Sequence, residues 1–145
     1  MRVFIDTNVF VYATYPQFPQ HIACRDFLKE CLTGSDAWYL SWGVIYEYLR
    51  VVTHPKLFGG EGLSFSGALE NVLLFLSSSH VEILQETAEH VRTLQALEFE
   101  YQPLGGNILH DAHNVCLMRE HNLSKIATVD TDFHRFKGIK VVNPL

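Results

Sequence analysis

Cysteine is nearly absent from this sequence. The three thiols, Cys24, Cys31 and Cys116, form no CxxC pair. That excludes a disulfide framework and fits the reducing cytoplasm. Cys24 and Cys31 fall on one expected helix, where they read as small buried hydrophobes. No apolar run approaches the roughly 20 residues that span a bilayer. The short run at the start is broken by Asp6, unlike the core of a signal peptide. Charge is also sparse: 19% of residues are charged, and the net charge is −5 with His neutral. Such a chain has no broad basic face with which to grip nucleic acid. Contact through bound cations stays open, because such ions reverse the local charge. A GxxxxGK[ST] phosphate loop is missing. Linkers, repeats and low-complexity tracts are missing too, so residues 1–145 are expected to form a single domain with a sizeable core.

What is present is a regular alternation of strands and helices. Residues 2–5 read as a strand, and residues 7–15 as a helix stopped by Pro16 and Pro19. Ala23, Phe27, Leu28 and Cys31 fall at helical spacing over 20–32, before Gly34. AWYLS, 37–41, is a second strand. Val44, Ile45, Tyr48, Leu49 and Val52 mark a helix that ends before Pro55. KLFGGEGLS is a loop, and 66–76 a helix capped by Ser64 or Ser66. VEIL, 81–84, is a third strand, and 87–100 an amphipathic helix. After the loop QPLGGN come a helix over 109–120, a fourth strand KIATV at 125–129, and IKVV at 139–142 as a possible fifth. Alternation of this kind predicts an α/β fold: a parallel sheet of four to five strands with helices on both faces.

Ligands of such sheets bind outside the carboxyl ends of the strands. Asp6 follows the first strand and Asp130 the fourth. Glu47 lies early in the helix after the second strand, and Asp111 near the start of its helix, where the helix dipole favours a carboxylate. All four should face one rim, with Asp132 able to replace or assist Asp130. Singly, Asp6 and Asp111 could be helix caps, Glu47 a solvated residue, and Asp130 and Asp132 turn residues. Together they repel one another unless a hard divalent cation sits among them. Two such ions about 4 Å apart are one known way to hydrolyse phosphodiesters. HDAHN offers a rival, with His110 and His113 binding Zn²⁺ beside Asp111. The plainer alternative makes His113 and His121 exposed helix histidines. Tyr12, Tyr15 and Trp42 lie near the expected rim and could stack bases, with core packing as the alternative. The apolar helices over 20–32 and 66–76 point to a protein interface and a homodimer.

FIDTNVFVYA, Glu47 in YEYLRVVTHP, HDAHN and the tail TVDTDFHRFKGIKVVNPL resemble PIN-domain ribonucleases, in particular the VapC-type toxins of toxin–antitoxin pairs. The resemblance covers essentially the whole chain, in order. It implies a PIN-like three-layer sandwich and a Mg²⁺ or Mn²⁺ site held by three or four acids. Asp6 matches the first acid, Glu47 the second and Asp111 the third. The fourth is Asp130 or Asp132; Asp130 is preferred because it directly follows the strand. Thr7, Asn8 and Thr128 match polar positions that support the acids. The implied activity is metal-assisted endonucleolytic hydrolysis of RNA, with an antitoxin protein as partner. A related duty in RNA maturation or DNA cleavage, or acids that only dock a basic partner, are the alternatives.

Overall fold

The computed structural model describes residues 1–56, 62–130, 133 and 135–145. Among the described residues five strands form one sheet: β1 (Arg2–Ile5), β2 (Ala37–Ser41), β3 (Val81–Leu84), β4 (Lys125–Ala127) and β5 (Lys140–Val142). Their order is β3-β2-β1-β4-β5, and every pair is parallel. The described helices that join them are α1 (Thr7–Thr14), α2 (His21–Thr33), α3 (Trp42–Val52), α4 (Phe65–Leu76), α5 (His90–Glu100) and α6 (Ile108–Glu120). The expected α/β architecture and all five strands are present. Residues 57–61 of the KLFGGEGLS loop lie outside the described residues.

The middle strand is β1. Val3, Phe4 and Ile5 of β1 are fully buried, as a strand covered on both faces requires. From β1 the chain moves outward through β2 to β3, then returns to place β4 on the other side of β1. Right-handed crossovers running in opposite directions put helices on opposite faces. Accordingly α1 packs on α2 and α3, and α5 packs on α6. The reversal of strand order between β1 and β4 is also the crevice where open α/β sheets bind ligands.

Two boundaries differ from expectation by more than one residue, and in each a side chain distant in sequence takes a backbone N–H. The helix expected from residue 87 starts at His90. Thr87 instead donates from its N–H (2.9 Å) and its Oγ1 (2.7 Å) to Glu120 Oε1, while its hydroxyl accepts from Glu89 N–H. The strand expected over 125–129 stops at Ala127. Val129 N–H donates to Asn8 Oδ1, and Asp130 N–H to Thr128 Oγ1. The chain therefore leaves the sheet and bends toward the end of β1.

Candidate active site

Asp6 sits at the junction of β1 and α1. Its extended backbone (φ −79°, ψ 155°) ends the strand, and its Oδ1 accepts from Thr7 N–H at 2.8 Å to cap the helix. Its other oxygen accepts from Thr128 Oγ1 at 2.8 Å and from Asn8 Nδ2 at 3.2 Å. Asn8 Nδ2 also donates to Thr128 Oγ1 at 2.9 Å, and Asp130 N–H donates to the same oxygen at 3.0 Å. The Thr128 hydroxyl thus gives its proton to Asp6 and takes one N–H from each side of the crevice. Three short polar side chains fix the end of β1 to the end of β4.

Glu47 and Asp111 enter from the helices. Glu47 lies in the second turn of α3, where Thr7 Oγ1 donates to its Oε2 at 3.1 Å. Asp111 lies in the first turn of α6. The two helices are joined by Ser41, the N-cap of α3, whose hydroxyl accepts from Val44 N–H and donates to Asn114 Oδ1 on α6. Asp6, Glu47, Asp111 and Asp130 line one open pocket of about 320 Å³, together with Thr7, Asn8, Tyr12 and Phe18.

Like charges and burial set the electrostatics. Asp6 is 7% exposed. Burial, reinforced by the charges of Asp111 and Glu47, lifts its pKa from 3.8 to about 7 against the bonds from Thr128 and Thr7. In the absence of a cation such an acid resolves the conflict by holding a proton. A divalent cation resolves it better, and an all-carboxylate, half-open donor set suits Mg²⁺ or Mn²⁺.

Not every expected residue joins the pocket. Asp132 lies outside the described residues. The Zn²⁺ grouping of His110, His113 and Asp111 is not assembled: His113 Nε2 meets Glu86 Oε1 at 2.6 Å, and His110 is exposed. Residues two apart on a helix face opposite ways, so His113 and Asp111 diverge. His121 is half-buried just past the end of α6, with Nε2 at 2.8 Å from Gln85 O. Tyr15 is core, 5% exposed, and donates to Val52 O. Trp42 is half exposed at the start of α3 and does not line the pocket, whereas Tyr12 does. Arg135 went unassigned in the tail motif, yet its Nη2 stands 3.8 Å from Asp111 Oδ2. Its place in TDFHRF, beside the expected acids, was the available signal. The bridge from Ser41 to Asn114 left no such signal.

A family model described as PIN domain matches residues 3–139. Ribonuclease VapC48 of Mycobacterium tuberculosis is 37% identical over 139 residues, which are 96% of this chain and 94% of that protein. This chain belongs to the VapC ribonucleases of the PIN domain family. Ribonuclease VapC37 of the same species is 29% identical, covering 97% of this chain and 95% of that one. In fold, the chain is similar to VapBC2 from Rickettsia felis, solved with a promoter DNA fragment, at TM-score 0.71 and 18% identity over 99% and 98% of the two chains. It is also similar to M. tuberculosis VapC20, described as a sarcin–ricin loop cleaving toxin, at TM-score 0.66 and 16% identity over 91% and 92%. In this chain, the polar tie between β1 and β4 is what aims Asp6. Thr128→Val keeps the shape and removes the hydroxyl. It should cost about 1–3 kcal/mol, the penalty for removing the acceptor of Asp130 N–H and the hydroxyl donor to Asp6 Oδ2. Urea denaturation reads this directly, and unchanged stability would mean the tie is dispensable.

Proposed function

We propose that the chain is a Mg²⁺- or Mn²⁺-dependent endoribonuclease and the toxin of a toxin–antitoxin pair. The observation that carries the site assignment is the convergence of Asp6, Glu47, Asp111 and Asp130 on one pocket at the strand-order reversal. Asp6, Asp111 and Asp130 would hold the cation, and Glu47 would be a further ligand or would position the attacking water; Asp132 stands as a possible additional ligand. When bound, the cation supplies the Lewis acidity that makes water a nucleophile near neutral pH and offsets charge on the phosphate. Thr128 and Asn8 hold Asp6 Oδ2 in place. Thr7 engages Glu47 Oε2 and leaves Oε1 to receive a proton from water. Arg135, beside Asp111, is placed to meet a phosphate oxygen of the substrate.

The substrate is RNA in single-stranded or loop form. With a net charge of −5, attraction to a regular duplex is weak. Splayed bases instead offer faces to Tyr12 and Phe18 in the pocket wall. The partners are a cognate antitoxin and a second copy of the chain. Phe65, Leu73 and Leu74 on α4 are more than half exposed. An apolar groove of about 440 Å³, walled by Phe10, Leu28, Val44 and Phe75 among others, runs beside them. Such a surface is what a bound protein segment covers. Residues 1–145 work as one PIN domain in the cytoplasm. The three cysteines are free and buried, and no helix among the described residues is long and apolar enough to cross a membrane.

The test is cleavage of a stem–loop RNA by the purified chain. EDTA should stop it, and added Mg²⁺ or Mn²⁺ should restore it, with cuts confined to the loop. Cleavage that persists at full rate in EDTA, or that falls evenly along the duplex stem, would contradict the proposal.

A further inference from the structure

A second constellation of ligand-type side chains stands outside the acid pocket. Glu86 follows β3, His90 opens α5, and His113 lies in α6. Each offers a ligand atom within 4.8 Å of the others. His113 Nε2 already meets Glu86 Oε1 at 2.6 Å, and the two imidazoles stand edge to face with centroids 5.8 Å apart. Gly43 makes room for this arrangement: a Cβ there would come within 3.1 Å of His113 Nδ1.

His90 is itself oriented. Its Nδ1 lies 2.7 Å from Glu120 Oε2, and the Glu120 side chain has no solvent exposure. The other oxygen of Glu120 is held by both donors of Thr87. An acceptor fixed so firmly selects the Nδ1–H tautomer of His90. That leaves Nε2 as the nitrogen with a free lone pair. Metal-bound histidines show this pattern, in which a carboxylate takes the far N–H and sets the ring. Glu86, His113 and His90 keep 49%, 35% and 26% of their side-chain surface exposed, so a cation reaches them from solvent and can keep water in a fourth position.

We infer that Glu86, His90 and His113 form a Zn²⁺ site, with Glu120 as the residue that positions His90. Two imidazoles and one carboxylate suit a borderline cation, whereas the four carboxylates of the acid pocket suit a hard one. On binding, the cation replaces the proton shared between His113 and Glu86. It joins the start of α5 to α6, the helix that carries Asp111.

The test is Zn²⁺ titration of the full chain carrying Asp6→Asn and Asp111→Asn, which removes the acid pocket as a competitor. One Zn²⁺ should bind per chain, and amide exchange at the start of α5 should slow. His90→Gln with His113→Gln should abolish the binding, and Glu120→Gln should weaken it roughly 10–100-fold. Zinc-edge X-ray absorption of the loaded chain should show scattering from two imidazoles, which keeps the question answerable if the double histidine variant does not fold. Absence of Zn²⁺ binding, binding that survives His90→Gln with His113→Gln, or a spectrum without imidazole scattering would overturn the site.

Discussion

Replacing Asp6 by alanine should abolish RNA cleavage, with a rate loss of at least about 1,000-fold, equal to about 4 kcal/mol of activation free energy. Asp6 is the acid on which the rest of the pocket is built. It ends β1, caps α1, and takes hydrogen bonds from Thr7, Asn8 and Thr128. A methyl group offers no cation ligand and leaves the Thr128 and Asn8 donors aimed at nothing. Expression of the parent chain alone should arrest growth, and expression of the variant should not. The lost cap costs about 1 kcal/mol, while removing a buried carboxylate from beside Asp111 and Glu47 relieves repulsion, so the variant should fold. Its circular dichroism and melting should therefore stay near those of the parent. A folded variant that cuts RNA at the parental rate would move the reaction to another site. Equal growth arrest by both chains would separate toxicity from cleavage.

The second large effect is on stability. With EDTA present, folded Asp6 titrates at about 7 rather than 3.8, because burial and the charges of Asp111 and Glu47 disfavour its ionised form. Between those two pH values the folded chain holds a proton that the unfolded chain has released. Stability contributed by this group is therefore greatest below about pH 4, falls as pH rises, and levels off above about pH 7. The difference between 3.8 and about 7 corresponds to a loss on the order of 4 kcal/mol across the window. Asp6→Asn should remove most of that slope and leave the metal-free variant more stable than the parent at pH 8. Mg²⁺ or Mn²⁺ should return stability to the parent and not to the variant. Urea denaturation of both chains from pH 4.5 to 8, compared as a difference, isolates Asp6 from the other titrating groups. A parent whose stability relative to Asp6→Asn rises with pH would contradict the electrostatic account.

The strands were legible because their signals are local. β2 and β3 are contiguous runs that occupy 37–41 and 81–84, as the sequence predicts. Asp6 and Asp130 were legible for a related reason: each directly follows such a run, and parallel topology puts those ends on one edge. Glu47 and Asp111 followed from the rule that helices after parallel strands start at that edge. The two misplaced boundaries and the missed contacts involve partners far away in sequence. α5 begins late because Thr87 bonds Glu120, 33 residues on, and β4 ends early because Val129 bonds Asn8, 121 residues back. His113 was recognisable as a ligand type, but its partner Glu86 lies 27 residues away, with all of α5 between them. No helical periodicity announces that pairing. Arg135 stood in the quoted tail, yet its reach to Asp111 depends on how the chain turns after β4.

Calorimetric titration of Mn²⁺ into the parent chain and into Asp6→Asn with Asp111→Asn asks whether four carboxylates scattered from Asp6 to Asp130 act as one cation site. Mn²⁺ should bind the parent and release protons near pH 7, because Asp6 gives up the proton it holds there. The double variant, folded and at least as stable in EDTA, should show no binding at the same concentrations. Equal Mn²⁺ affinity in both chains would contradict the assignment of the pocket as the metal site.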